Sequence, residues 1–314
     1  MDRISLIIPC YNEKESLPYL KKELKKLIDS MKYVEFEVIF VDNCSEDETL
    51  DIIKDYCNKN KNFRFISFSR NFGKDSSMYA GLKASSGDYV AILDADLQDP
   101  PELVTQMYDI LKKEDYDCVA AYRKNRHGEP LIRSFLAKLF YRIMEKLSKL
   151  KIVSGARDYR LMTRQMVDSV LLLEESERFT KGIFSWVGFK TKWIPFDNHE
   201  RVAGKTKLPT RSAMSYAIRG VTSFSTFPLV IASIIGLIFC LFSITYMIYV
   251  VIEHIINGTA ITPGYSSIVC IMLLGFGLIL LVLGIIGQYL ATIYLEIKNR
   301  PKYIIKEKSN NIKI

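Results

Sequence analysis

The segment Asp94-Ala95-Asp96-Leu97-Gln98-Asp99-Pro100-Pro101-Glu102 carries four acids in nine residues, directly after the apolar run Tyr89-Val90-Ala91-Ile92-Leu93. Alternate side chains of an extended chain share a face, so Asp94, Asp96 and Gln98 would present three oxygen donors together. Oxygen donors in a loop suit Mg2+ or Mn2+, which take their remaining ligands from substrate phosphates and water. The second half of the segment reads differently. Asp99 before Pro100, with Glu102 three residues on, has the form of a capping box with proline at the first helical position. Asp94 and Asp96 are therefore expected to serve chemistry, and Asp99 and Glu102 to start a helix. A D-x-D pair alone arises often by chance; its place at a strand end, among other polar strand ends, gives this one its weight.

The elements that must position these acids alternate. Ile4–Ile8 is a short apolar run closed by Pro9 and reads as a buried strand. Leu17, Leu20, Leu24, Leu27 and Met31 recur at helical spacing behind Ser16, the expected N-cap. Phe36–Asn43, Phe63–Arg70, Asp88–Asp96 and Cys118–Arg123 read as further strands, and Ser45–Cys57 and Asp75–Gly87 as helices. Such alternation implies βαβ units and a mostly parallel sheet, whose ligands bind beyond the carboxyl ends of the strands. Those ends hold Pro9-Cys10-Tyr11-Asn12-Glu13, Asp42-Asn43, Arg70-Asn71, Asp94-Ala95-Asp96 and Arg123, so polar groups converge on one edge. Neither the dinucleotide fingerprint nor the P-loop pattern is present.

The remainder of the 314-residue chain is of another kind. Two apolar stretches, Thr226–Ile252 and Ser267–Tyr294, are long enough to cross a bilayer. The link between them has no Lys or Arg, whereas Arg211 and Arg219 precede the first stretch and Lys298, Arg300, Lys302, Lys306 and Lys308 follow the second. The positive-inside rule then places both ends in the cytoplasm. Met214, Ala217, Ile218, Val221 and Phe224 form one apolar stripe, which fits a helix lying in the membrane interface or packed on the soluble part. The expected division is a catalytic domain over 1–208, an interfacial helix over 209–225, a two-helix membrane domain over 226–294 and a basic tail over 295–314. The net charge of +8 suits anionic lipid and a phosphorylated substrate. No zinc-finger or helix-turn-helix pattern points to nucleic acid. The six cysteines show no close pair or nearby His and read as reduced, small apolar residues.

"PCYNE", "VDNCSED", "RNFGK", "GDYVAILDADLQDPPE", "RFTKGIFSWVGF" and "ERVAGKTKL" together resemble the polyprenyl-phosphate glycosyltransferases of glycosyltransferase family 2, a group that includes bactoprenol glucosyltransferases and dolichol-phosphate mannosyltransferases. The likeness runs through both apolar stretches. It implies a GT-A fold, a nucleotide-sugar donor, a divalent metal, a polyprenyl-phosphate acceptor in the membrane and a homo-oligomer, tetramers being known among relatives. Carried over by motif, Pro9, Tyr11, Glu13 and Asp42 would hold the nucleotide, Asp94 and Ala95 would face the donor, and Asp94, Asp96 and Gln98 would surround the metal. Arg123, Arg201 and Lys207 would face the diphosphate, and Arg133 and Ser134 the acceptor phosphate. Asp158, in "GARDYRLM", matches the acid that serves some members as base. Each also has an ordinary reading, as a turn residue, a surface charge or, for Asp158, a partner of Arg157 or Arg160. Trp186 and Trp193 read as core or interface aromatics, and the three histidines have no partner pattern.

The implied chemistry is consistent with these residue types. A departing nucleoside diphosphate gains negative charge, which cations stabilise where it develops. A phosphate monoester has a second pKa of about 6, so it is already a nucleophile at neutral pH. Asp158 is then expected to orient the acceptor more than to deprotonate it. A processive polysaccharide synthase of the same fold would resemble its relatives in a Q-x-x-R-W motif, absent from "ERFTKGIFSW". A non-catalytic adaptor leaves the full set of polar strand ends without a purpose, and two nearly uncharged spans make a poor transport path.

Overall fold

The computed structural model describes residues 1–123, 153, 155–176, 178–196, 224–257, 264–310 and 312. The chain forms two compact units, Met1–Ala217 with Arg300–Ile314, and Ile218–Asn299. The first is built on strands β1 (Arg3–Cys10), β2 (Glu35–Asp42), β3 (Phe63–Phe68), β4 (Tyr89–Ile92), β5 (Cys118–Arg123), β6 (Ala156–Thr163), β7 (Thr191–Phe196) and β8 (Ile305–Lys308). They form one sheet in the order β7-β5-β6-β4-β1-β2-β3-β8. The pairs β1–β2, β1–β4, β2–β3 and β5–β7 are parallel. The pairs β3–β8, β4–β6 and β5–β6 are antiparallel. Ile4, Leu6, Ile7 and Ile8 of β1 are fully buried, as expected of a central strand covered on both faces.

Helices α1 (Leu17–Ser30), α2 (Thr49–Lys59), α3 (Lys74–Ala84) and α4 (Leu103–Lys113) fill the crossovers between the first five strands. Two shorter helices, α5 (Arg164–Leu171) and α6 (Thr180–Trp186), follow β6. Helix α1 buries Leu17, Leu20, Leu24 and Leu27, the stripe its spacing predicts. Ser16 stands at its N-cap, but the hydroxyl donates to Glu13 instead of accepting from a helix N–H. The expected capping box at α4 is also corrected. Its first turn is closed by backbone bonds from Leu103 N to Pro100 O and from Val104 N to Pro101 O, and Glu102 makes no capping bond. Asp99 turns its carboxylate to Arg157 instead.

The segment expected as a basic tail contributes a strand. Ile305–Lys308 pairs with β3, Ser69 N donates to Ile304 O at 3.0 Å, and the Tyr303 ring stacks on Phe68 at 5.1 Å. This covers the backbone edge of β3 that would otherwise be open.

The second unit holds α7 (Phe227–Asn257) and α8 (Tyr265–Ile297). Within them Phe227–Tyr246 and Leu274–Ile297 are long and apolar enough to cross a membrane, and only 6% and 0% of these windows is buried. Helices of a soluble core would be buried; these present Leu237, Phe242, Leu274 and Leu280 outward. The Tyr289 hydroxyl donates to Ser225 O at 2.6 Å and ties α8 to the segment before α7. The interfacial helix expected over 209–225 lies outside the described residues except for its last two positions.

The strap at β3 has a measurable consequence. Tyr303→Ala is expected to cost about 1–3 kcal/mol of stability by removing the stacked ring. Thermal unfolding of the detergent-solubilised protein checks this; an unchanged melting temperature would show that the strap is not holding the sheet edge.

Candidate active site

The antiparallel ladder between β4 and β6 pairs Tyr89 with Thr163 and Ile92 with Arg160. The ladder ends there; Asp94 lies two residues beyond β4, and Asp158 lies on β6 two residues before Arg160. Like charges placed opposite each other destabilise a sheet. Here a cation lies between them: Lys74 Nζ is 2.6 Å from Asp94 Oδ1 and 2.8 Å from Asp158 Oδ2. Burial pushes the Asp158 carboxyl up, but Lys74, with Lys181 and Arg160, outweighs it and holds the group well below the usual carboxylate range. Burial likewise pulls Lys74 down, and Asp158 and Asp94 more than reverse it, so the ammonium stays charged.

Lys74 is the first residue of α3, and the loop before it is fixed by two amides. Asn43 Nδ2 donates to Asn71 Oδ1 at 2.9 Å, Phe72 N donates to Asn43 Oδ1 at 2.8 Å, and Gly73 N donates to Asn71 Oδ1 at 2.9 Å. Gly73 has φ +90, a backbone conformation that side chains other than glycine's rarely accept. The residues after β2 and β3 thus place Lys74 against the ends of β4 and β6.

The acidic segment departs from the extended course expected of it. Ala95 and Asp96 lie in a turn, and Leu97 has φ 56. A bulky residue in the left-handed region is unusual and is held here by burial, since Leu97 belongs to the core. The turn ends the alternation after Asp96. Gln98 Oε1 accepts from Arg123 at 3.0 Å and from Arg157 at 3.1 Å. An amide oxygen has two lone pairs, and both are in use. In this conformation the Gln98 oxygen expected at the metal is engaged by two guanidiniums.

Arg157 also donates from Nε to Asp99 Oδ1 at 3.1 Å. Asp99 is 1% exposed, and its Oδ2 is buried without a hydrogen-bond partner. Burial, which outweighs the Arg157 guanidinium, pushes the Asp99 carboxyl up to about 7. Asp99 is thus structural, as expected, but through Arg157 and not through a helix cap.

On the other side of β4, the loops after β1 and β2 interlock. Asn12 N donates to Ser45 Oγ, Glu46 N to Asn12 Oδ1, and Glu13 N to Thr49 Oγ1, all within 2.9 Å. Pro9, Tyr11 and Glu13 are half-buried here. Asp42 is fully buried; its oxygens accept from Ser67 Oγ at 2.9 Å and Ser45 N at 3.2 Å. In this conformation Asp42, expected at the nucleotide, shapes the loop and presents no surface. Arg133, Ser134, Arg201 and Lys207 lie outside the described residues. Sequence reasoning gave Lys74 no role, named Arg157 only as a partner for Asp158, and placed Asn43 and Asn71 at strand ends without pairing them. The "RNFGK" string marked the place of the first, but nothing local showed that it would meet acids 20 and 84 residues away.

Among the described residues no three His, Cys, Asp or Glu surround a common point. Asp94 and Asp96 remain as two carboxylates on one turn, with Asp96 at 6% exposure. Two carboxylates suit a hard divalent cation that completes its shell from substrate phosphates and water. The cationic Lys74 at Asp94 shows that this oxygen already attracts positive charge.

The fold and this edge place the chain among the α/β glycosyltransferases. Residues 5–171 match the model of glycosyl transferase family 2, and the chain belongs to that family. It has a GT-A-like fold with a mostly parallel sheet and is a glycosyltransferase. A bactoprenol glucosyl transferase of Shigella phage SfII is 37% identical over 305 residues, covering 97% of this chain and 98% of the relative. An uncharacterized glycosyltransferase of Synechocystis is 36% identical over 304 residues, covering 97% of this chain and 95% of that one. Among solved structures, the chain is similar to glucosyl-3-phosphoglycerate synthase of Mycobacterium tuberculosis in complex with Mn2+, UDP-glucose and phosphoglyceric acid. There the identity is 19% and the TM-score 0.48, over 70% of this chain and 78% of that one.

Asp99 gives a pH prediction. Its folded pKa is raised above the unfolded value, so its contribution is complete below about pH 4 and is lost as pH rises towards about 7. Asp99→Asn is expected to flatten the fall in melting temperature between about pH 5 and pH 8. Parallel curves for variant and wild type would contradict the assignment.

Proposed function

We propose that this chain transfers a hexose from a UDP-sugar to the phosphate of a membrane polyprenyl phosphate, with inversion at the sugar carbon. The observation that carries this reading is the extent of the likeness to bactoprenol glucosyl transferases. It spans 97% of the chain and so takes in both the Asp94–Asp158 edge and the two unburied apolar helices. A soluble acceptor would leave those helices without a purpose. The Lys and Arg that flank the two apolar stretches in the sequence, against none in the link between them, support an inner-membrane protein with both ends in the cytoplasm.

In this reading Asp94 and Asp96 hold Mg2+ or Mn2+, with the donor diphosphate supplying further oxygens. The bound ion offsets charge that develops on the departing diphosphate. Pro9, Tyr11 and Glu13 line the nucleotide side. Arg123, steadied by Gln98, lends positive charge at the end of β5. Arg201 and Lys207 are proposed for the diphosphate, and Arg133 and Ser134 for the acceptor phosphate. The acceptor oxygen forms the new bond to the sugar carbon as the bond to the nucleoside diphosphate breaks. Asp158 orients the acceptor side. A carboxylate held this far below its usual range is a weak proton acceptor, which suits an acceptor that arrives largely ionised.

Purified protein with a short polyprenyl phosphate, Mg2+ and a panel of nucleotide sugars is expected to give a polyprenyl-phosphate monosaccharide, read by mass. Asp96→Ala should lose at least about 100-fold in rate with the fold retained. No product with any donor would overturn the reading. The pH profile of kcat/KM is a separate check. The acid limb should fall near pH 6, set by the acceptor, and should keep its position in Asp158→Asn at lower amplitude. A limb that vanished in the variant would make Asp158 the titrating base.

A further inference from the structure

We propose that Lys74 is a positioning residue that holds Asp158 across from Asp94 and gives up its place on Asp94 when a divalent cation binds. The inference rests on the metal assignment made above and extends it to a residue with no role there. Three observations support it. Asp94 lies two residues past the end of β4 and Asp158 on the neighbouring β6, and the two like charges share one cation. Lys74 contacts both acids, one on the side assigned to the donor and one on the side assigned to the acceptor. Its side chain is 42% exposed, against 19% for Asp94 and 16% for Asp158.

Its two carboxylate anchors are largely buried, while the lysine side chain that joins them is partly exposed. The backbone of Lys74 is fixed by Gly73 and the Asn43–Asn71 pair, so only the flexible four-carbon stem has to move. A divalent ion held by the Asp94 carboxylate would repel an ammonium 2.6 Å from Oδ1, so its binding favours release of Lys74 from that acid. Lys74 can release Asp94 and stay on Asp158, which keeps that carboxylate ionised and in place. Lys181, the second ammonium facing Asp158, is held elsewhere by its bond to Ala156 O at 3.1 Å.

The test is Mn2+ binding to the full-length protein with UDP present and no acceptor, followed by electron paramagnetic resonance. Lys74→Met is expected to bind Mn2+ about tenfold more tightly than wild type, because the internal competitor is gone. In turnover assays the same variant should lose about 100-fold in kcat with little change in KM for the donor, and Lys74→Arg should recover part of the loss. Mn2+ affinity that is unchanged or weaker in Lys74→Met overturns the proposal. If that variant does not fold, Asp158→Asn serves instead. It leaves Lys74 to Asp94 alone and should weaken Mn2+ binding; an unaltered affinity overturns the proposal. Asp94→Ala separates the two levels: if it binds Mn2+ as wild type does, the metal assignment fails and the proposal with it.

Discussion

One ammonium between two carboxylates is the constraint around which the catalytic edge is arranged. Asp94, just past β4, and Asp158, on the neighbouring β6, share that ammonium. At a separation of about 4 Å and an effective dielectric of about 20, two such charges repel by roughly 4 kcal/mol. The fold answers with Lys74, and the parts around it deliver that side chain. The Asn43–Asn71 amides shape the loop, Gly73 supplies the turn into α3, and β8 holds the strand from which the loop departs. Loops after β2 and β3 thus control the geometry between β4 and β6, which is how a parallel sheet assembles one site from several strand ends.

Much of this was legible in the sequence. β1 to β5 and the leucine stripe of α1 follow from short apolar runs and helical spacing, and the sheet edge follows from where those runs stop. The later strands were not legible for identifiable reasons. β6 carries Arg157, Asp158 and Arg160 among its apolar residues, so it breaks the apolar pattern of a central strand. β8 reads Ile-Lys-Glu-Lys and is four residues long, which gives no signal distinct from a basic tail. The fate of Gln98 depended on Leu97 entering the left-handed region, a choice made by packing against the core and not by local propensity. The reach of Lys74 to Asp158 depended on register, which no local pattern encodes.

The acids of the first segment now divide by environment. Asp94 meets Lys74 at the end of β4, and Asp96 lies in the turn that follows. Asp99 is sealed from solvent and bonded to Arg157, whose other arm, with Arg123, holds Gln98. One guanidinium thus connects the structural acid to the loop that presents the chemical ones. The two apolar helices form the other unit. Within them Phe227–Tyr246 and Leu274–Ile297 are long and apolar enough to cross a membrane.

The most direct test of the central claim is a double-mutant cycle on kcat/KM with Lys74→Met and Asp158→Asn. If the lysine acts through the acid, the double variant should be no more than about threefold worse than the poorer single variant, a coupling well above about 1 kcal/mol. Effects that simply multiply would show that the two side chains work independently and that the bridge is not the unit of function.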